Sequence, residues 1–185
     1  MQSLSYPIGK YVEQPYSEGQ RKEWLLCIQT LPDELEQAIS NLDASQFDTP
    51  YRDGGWTVQQ LVHHIADSHM QAYIRFKLGL TEDKPHIKPY DQNAWALLPD
   101  SANLPVNISI TLLHSLHIRW IEVLMNMQET DFQREVYHPE HKTHMTLWYL
   151  LGMYAWHGKH HVAHITALRI RNNWSNIFNY NYAGK

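Results

Sequence analysis

Apolar residues recur at intervals of three and four along four separate stretches of the chain, and no stretch shows a pronounced strand pattern. The first of these stripes runs through Trp24, Ile28, Leu31 and Leu35. Such intervals keep side chains on one face of an α-helix, whereas a strand needs strict alternation of apolar and polar residues. The pattern therefore predicts an all-α fold, and four helices of this kind favour a four-helix bundle.

Helix-start signals and a proline refine this prediction. The predicted helices span residues 17–42, 57–80, 109–127 and 146–172. Ser17 with Gln20, and again Thr57 with Gln60, have the spacing of a capping box, in which two residues satisfy each other's backbone donors at a helix start. Pro32 lies inside the first helix and is expected to kink or break it, because proline lacks a backbone donor and clashes with the preceding turn.

The segments between the predicted helices are polar. Residues 81–107 contain four prolines and are long enough for a crossover connection, and long loops in compact domains are often functional. Residues 131–144 form a second polar connection. The chain length suits one core. We therefore expect a single domain over residues 1–185, with an extended N-terminal arm at 1–16 and a polar C-terminal tail at 173–185.

Charge and cysteine content limit the classes of function. A net charge of −4 does not favour binding to a phosphate backbone, so no nucleic-acid partner is expected. The single cysteine, Cys27, cannot form an intramolecular disulfide, which favours the cytoplasm. Cys27 has no evident activating partner and is interpreted as a small packed hydrophobe rather than a nucleophile. The chain starts without a signal-peptide pattern, and its longest apolar run, residues 147–156, is shorter than a membrane span.

The last predicted helix places two histidines in its apolar stripe. Thirteen histidines occur in the chain, and His157 and His161 continue the line from Tyr154 to Ile165. A buried imidazole without partners costs a few kcal/mol, so some compensation is required. Because the two histidines are four residues apart, both rings leave the same helix face and can bind one metal ion.

A third ligand is expected from the second helix, which offers His63, His64 and His69. His64 follows Leu61 by three residues and borders the apolar stripe, whereas His63 is expected to point further towards solvent. Three neutral imidazoles with an open position are typical of a catalytic site rather than a closed structural site. Zinc is the ion expected first, and nickel or another divalent transition metal could occupy the same ligands.

Other histidines allow simpler interpretations, since a buried histidine is often a hydrogen-bonded core residue. His160 and His164 are interpreted either as hydrogen-bond partners of the ligands or as ordinary surface residues. The remaining ones share no spacing with the cluster and are interpreted as structural or solvent-facing: His114, His117, His138, His141 and His144.

Polar residues near the open face are candidates for catalytic groups, since a hydrolase needs a general acid for the leaving group. The candidates are Asp67, one turn from His64, and Tyr90, Asp91 and Trp95 on the crossover. Non-catalytic interpretations of these residues are favoured: a carboxylate on the helix surface, an Asx turn, and a side chain packed into the core.

Four motifs connect the chain to a known family. They are YRDGGWTVQQLVHHIADSHMQAYIRFKL, PYDQNAW, YHP and YAWHGKHHVAHITAL. Together they resemble the DinB-like superfamily, specifically its YfiT-type metal-dependent hydrolases, over nearly the whole chain. The resemblance implies a four-helix bundle with a long crossover. It also implies a divalent metal on one histidine of the second helix and an H-x-x-x-H pair of the fourth, which correspond to His64, His157 and His161.

The resemblance implies chemistry that the residues alone do not. YfiT-type proteins are described as hydrolases, and close relatives resemble transferases that join the thiol bacillithiol to an electrophilic small molecule. Thiol transfer is favoured here, with hydrolysis by water as the alternative and a metal-braced binding or stress-response module as the second alternative. A fourth protein ligand, such as His160, would indicate that last role. The family also implies a homodimer, which agrees with 7 Trp and 11 Tyr in one chain.

Overall fold

The computed structural model describes residues 4–174. Its elements in chain order are α1 (Glu18–Ile39), α2 (Ala44–Phe47), α3 (Val58–Thr81), α4 (Gln92–Trp95), α5 (Pro99–Asn103), α6 (Asn107–Met125), α7 (Glu129–Phe132), β1 (Glu135–His138), β2 (Thr143–Thr146) and α8 (Leu147–Arg171). The long helices α1, α3, α6 and α8 form the bundle, so the predicted all-α bundle with a long crossover is confirmed. The predicted tail beyond Trp174 and the first three residues of the predicted arm lie outside the described residues.

Helix ends follow the predicted caps. Thr57 and Gln60 form the complete reciprocal box at the start of α3. Ser17 accepts a hydrogen bond from the backbone of Gln20, but the Gln20 side chain turns to Glu23 instead of returning to the cap. The break considered at Pro32 is absent, because α1 continues through it while both neighbouring turns are buried against the bundle.

The four long helices surround the core in an order that differs from their order in the chain. α1 contacts α6 and α8, and α3 contacts the same two helices from the other side. Consecutive long helices α1 and α3 therefore lie on a diagonal of the bundle, as do α6 and α8. The crossover from α3 to α6 contains α4 and α5, and α5 packs against α3.

A short β-hairpin precedes α8, where the sequence predicted only a polar connection. β1 and β2 are antiparallel, with Val136 opposite Met145, and Val136 is fully buried. The crossover adds a further bridge, since the backbone N–H of Ile87 donates to the carbonyl of Tyr137 at 3.0 Å. With four residues per strand, the alternation is too short to stand out from the sequence.

The core consists of two apolar halves. One half includes Phe76, Trp120 and Leu147, and the other includes Leu35 and Ile165. Near their boundary, α3 and α8 place buried polar residues in the interior: His63, His64, Ser68 and His69 on α3, and His160, His161 and His164 on α8. A layer of histidines thus crosses the middle of the bundle.

Helix α6 combines a buried face with exposed apolar residues. It is long and apolar enough to meet the criteria for a membrane span, but the core helix of a bundle meets the same criteria, and Leu113, Trp120 and Leu124 are fully buried in this protein. Its exposed residues include Ile118 and Met125.

Light scattering at micromolar concentration tests the predicted homodimer. We expect twice the chain mass, because exposed apolar side chains favour association. A monomer would contradict this prediction.

Candidate metal centre

Three histidine side chains meet where α3 faces α8. Nε2 of His157 lies 3.3 Å from Nε2 of His64 and 3.0 Å from Nε2 of His161. The pair on α8 shares one helix face, and α3 supplies the third ring from the opposite side. His64 is 4% exposed and His161 is 7% exposed. The structure thus brings together the three residues that the sequence predicted as ligands.

These nitrogen atoms cannot satisfy one another. Burial lowers the pKa of His64 to about 4 and the pKa of His157 and His161 well below the usual value, so all three rings are neutral at pH 7. A neutral imidazole nitrogen carries either one hydrogen or one lone pair. Nε2 of His157 therefore cannot form good hydrogen bonds with both neighbouring nitrogen atoms. In addition, Nδ1 of His157 and Nδ1 of His161 are buried without a hydrogen-bond partner among the described residues.

A divalent cation fits this arrangement. With hydrogens on Nδ1, the Nε2 lone pairs are available, and the ligand atoms of the three residues lie within 4.8 Å of one another, so one cation can bind all three. Zinc–nitrogen bonds of about 2.0–2.1 Å place two ligand nitrogens about 3.3 Å apart in tetrahedral geometry and about 2.9 Å apart in octahedral geometry. Both observed separations, 3.3 Å and 3.0 Å, fall in this range.

The trio is open on one side. Among the described residues, no fourth histidine, cysteine or carboxylate joins this group of potential ligands. All three rings line a cavity of about 330 Å³. Three protein ligands and an open side are typical of catalytic rather than structural metal sites.

The rest of the cavity wall is aromatic and polar. The ring of Trp56 lies 4.5 Å from that of His64, and Trp156 stacks on His160 at 4.5 Å. Polar groups come from Arg52, Gln92 and Asn93, and within residues 4–174 no carboxylate lines the cavity.

His160 and His164 form a second pair beside the trio. Their Nε2 atoms are 3.0 Å apart, so one ring donates and the other accepts. His160 is 7% exposed and His164 is 3% exposed, and the interpretation of both as surface residues is therefore wrong. Burial, the neighbouring His160 and the charges of Arg52 and Arg171 lower the pKa of His164 to about 4. With His161, the pair forms a second group of potential metal ligands, which overlaps the trio at His161.

Two further histidines extend the polar layer towards α6. Nδ1 of His117 bonds the carbonyl oxygen of Ile28, and Nε2 of His117 lies 3.0 Å from Nδ1 of His69. A carbonyl only accepts, so His117 donates from Nδ1 and accepts at Nε2 from His69. Nε2 of His69 is left with a lone pair, buried and without a partner among the described residues. The ring of His157, whose Nδ1 needs an acceptor, lies 5.8 Å away between centroids.

The two rings form no hydrogen bond in this structure, so we predict, from the unpaired lone pair of His69 beside the ring of His157, that His69 helps to orient this predicted ligand. We expect His69→Leu to weaken metal affinity about 10- to 100-fold, because histidine ligands depend on an acceptor behind the ring. His69→Gln, which keeps an acceptor oxygen, is expected to lose less. Competition with a chromogenic chelator measures both, and an affinity of His69→Leu equal to that of the wild type would contradict the assignment.

Some histidine positions differ from the sequence predictions. His63 was predicted to face solvent, but it is buried, with Nδ1 2.8 Å from Oγ of Ser109 and Nε2 3.0 Å from the carbonyl oxygen of Leu104. The crossover and α6 cover this side of α3, which a single-helix pattern cannot show. His117 and His138 are also buried, which agrees with their interpretation as structural residues.

The predicted catalytic candidates do not line the cavity. Asp91 caps α4, accepting from the backbone N–H of Asn93 and Ala94, both at 3.0 Å, which agrees with the favoured Asx interpretation. Tyr90 packs on Trp95 with ring centroids 4.5 Å apart, and burial raises its pKa to about 12.

Asp67 is half-buried on α3. Burial, together with the charge of Asp100, raises its pKa to about 6. Such a carboxyl can exchange a proton near neutral pH, although it lies outside the cavity wall.

Cys27 lies away from the trio, in a different cavity that it shares with Lys159. Burial raises the pKa of its thiol, and the ammonium of Lys159 partly offsets this effect. The sequence does not reveal this neighbour, because Lys159 belongs to α8, which is far from Cys27 along the chain. The raised pKa agrees with the interpretation of Cys27 as a packed residue rather than a nucleophile.

We expect the protein to stay folded when a chelator removes the metal. Both apolar halves of the core pack without the histidine layer, unlike small zinc domains that have no other core. Helical circular dichroism should remain, while the melting temperature falls because a ligand of the folded state is lost. Collapse of the helical signal would instead indicate a structural metal.

Fold and site together define a class: four-helix bundles with an open three-histidine centre and an aromatic-walled cavity. Residues 27–165 match the model of the DinB superfamily. The chain belongs to this superfamily, as its motifs predicted.

Individual relatives agree with this assignment. A Bacillus cereus (strain ATCC 10987) protein named "Putative metal-dependent hydrolase" is 51% identical over 175 residues, covering 94% of this chain and 100% of the relative. A Bacillus thuringiensis subsp. konkukian protein of the same description shows the same identity and coverage. The solved structure of YfiT from Bacillus subtilis superposes with a TM-score of 0.91 at 50% identity, covering 93% of this chain and 99% of that chain. It is described as "a probable metal-dependent hydrolase with an unusual four-helix bundle topology".

Proposed function

We propose that the protein is a metal-dependent hydrolase of a small molecule, with one divalent ion on His64, His157 and His161. The observation that carries this proposal is the convergence of three neutral Nε2 atoms at a cavity with no fourth protein ligand among the described residues. The names of the relatives support metal dependence and hydrolysis.

The chemistry divides between the ion and the chain. When bound, a divalent ion on neutral imidazoles keeps its positive charge and activates water or a thiol as a nucleophile. The imidazoles orient the open side of the site towards the cavity. Trp56 and Trp156 reduce the access of bulk water, and the amides of Gln92 and Asn93 offer hydrogen bonds to a substrate.

Cavity size supports one small substrate. A volume of about 330 Å³ lies at the lower end of the range of about 300–1,000 Å³ for ligand pockets. A transferase must hold a thiol cofactor and an electrophile together, which requires more room than a hydrolase needs.

Thiol transfer is the second candidate, with bacillithiol as the thiol. It is favoured by the lack of a lining carboxylate within residues 4–174, because no carboxylate base then stands beside the nucleophile. A thiol ionises near pH 8.5, so it needs less assistance than water to lose its proton and become a nucleophile. Zinc suits a thiolate through its borderline softness, nickel could occupy the same imidazoles, and a free thiol fits the cytoplasm.

Metal-loaded protein should be assayed with nitrophenyl esters and anilides, and in parallel with bacillithiol plus monochlorobimane. We expect ester or amide turnover without thiol that is lost on chelation and in His157→Ala. Bimane conjugation that requires both thiol and His157 would replace hydrolysis by transfer. Neither reaction, across a broad panel of substrates, would overturn the enzymatic proposal in favour of a binding module.

A further inference from the structure

A tight loop holds an arginine at the cavity. Between Pro50 and Thr57, which form a β-bridge, the backbone N–H of Gly55 donates to the carbonyl of Arg52 at 2.9 Å. A Cβ on Gly55 would lie 2.9 Å from Cγ of Arg52 and 3.1 Å from the ring of Tyr51. Glycine at this position therefore leaves room for the arginine stem, and Arg52 lines the same cavity as the three histidines.

The charge of Arg52 has no counter-ion within residues 4–174. None of the ion pairs among these residues involves it. Its guanidinium donates from Nη1 to the carbonyl of Asp53 at 3.3 Å, and its Nε is buried without a hydrogen-bond partner among the described residues. The guanidinium also lies 5.3 Å from the centroid of the Tyr51 ring, but this contact leaves its charge uncompensated. A partly buried cation without a counter-ion is costly, so a bound anion would stabilise this side chain.

The residues around Arg52 add positive charge, and no acidic side chain of the cavity wall offsets it. No carboxylate of the described chain lines the cavity. Arg171 lies nearby and donates to the carbonyl of Tyr51. The cavity is therefore electropositive even without the two positive charges that a divalent ion would add.

We propose that the cavity selects small molecules with an oxyanion group, a carboxylate or a phosphate, which pairs with the guanidinium of Arg52. The planar fork of arginine matches such groups through two parallel hydrogen bonds. The carbon skeleton of the ligand lies against Trp56 and Trp156. Only the further step, in which its scissile bond reaches the histidine trio, rests on the proposed function.

Direct binding tests the anion site independently of catalysis. Succinate and inorganic phosphate are titrated into the metal-loaded and the chelated protein, with tryptophan fluorescence and calorimetry as readouts. We expect saturable binding of at least one probe in both states. Arg52→Gln should weaken it by about tenfold or more and Arg52→Lys by less, since charge-assisted pairs with a fork are strong. Arg119→Gln, which removes the same charge from the exposed surface of α6, should bind like the wild type.

The outcomes separate the two oxyanion sources and the two proposals. Binding of succinate alone assigns a carboxylate, and binding of phosphate alone assigns a phosphate. Equal affinity in Arg52→Gln and wild type, or binding that disappears entirely on chelation, would overturn the role of Arg52. Arg52-dependent binding without any hydrolysis would leave the anion site in place and refute only the proposed function.

A matched pair of esters provides the kinetic counterpart. 4-Nitrophenyl acetate and mono-4-nitrophenyl succinate share a leaving group, but only the second carries a carboxylate. We expect the wild type to prefer the acidic ester through a lower KM, and Arg52→Gln to lose this preference with little effect on the neutral ester. An unchanged preference would contradict the proposal.

Discussion

Replacement of His161 by alanine is expected to lower the metal content from one ion per chain to near zero after gel filtration. Two imidazoles on different helices, His64 and His157, would remain, and they form a weak site. Removing the acceptor behind a ligand already costs about 10- to 100-fold in affinity, so loss of the ligand itself should cost more. Elemental analysis of the purified protein measures the effect.

His114→Ala is the matched control. His114 is another histidine of the bundle, and with Asp33 and Glu36 it forms a separate group of potential metal ligands. It lies on the α6 side of the fold, 3.3 Å from a carboxylate oxygen of Glu36. We expect this variant to keep its metal. Full metal content in His161→Ala, together with loss of metal in His114→Ala, would place the ion at His114 and reject the trio as the metal site.

Metal-free protein is expected to lose much of its stability between pH 7 and pH 4. Burial lowers the pKa of His117 to about 4, and the pKa of His69 lies well below its usual value. In the unfolded chain both rings titrate near 6.5. Below that pH the unfolded state binds protons that the folded state does not, so the stability is complete above pH 6.5 and falls as pH decreases.

The expected magnitude is large. His117 alone lowers the free energy of unfolding by about 3 kcal/mol at pH 4 relative to pH 7, and His69 adds to this loss. Urea unfolding at pH 7.0, 6.0, 5.0 and 4.0 on chelated protein measures the slope. His117→Asn, which cannot titrate, should give a shallower dependence. A free energy of unfolding that stays constant over this range would contradict neutral burial of the layer.

The parts of the fold that the sequence predicted are those that depend on local patterns. The apolar stripes and caps such as Thr57 act within one or two turns of helix, so they located the four long helices closely. The trio followed from the same logic, because the spacing of His157 and His161 and the position of His64 at a stripe border are properties of single helices.

The missed features depend on which elements become neighbours. The bond between His69 and His117 exists because α3 packs beside α6, and His63 is buried because the crossover returns over α3. Arg52 lies in a loop whose glycines were recognisable, but its direction into the cavity follows from the position of that loop on the bundle. Such contacts between distant segments leave no periodic signal in the sequence.

Crystallographic anomalous scattering at the absorption edge of the loaded metal tests the proposed metal centre most directly. We expect one peak per chain, bounded by Nε2 of His64, His157 and His161, with no fourth protein ligand on the cavity side. A peak beside His114, or a trio closed by a fourth side chain such as His160, would contradict an open catalytic centre at this position.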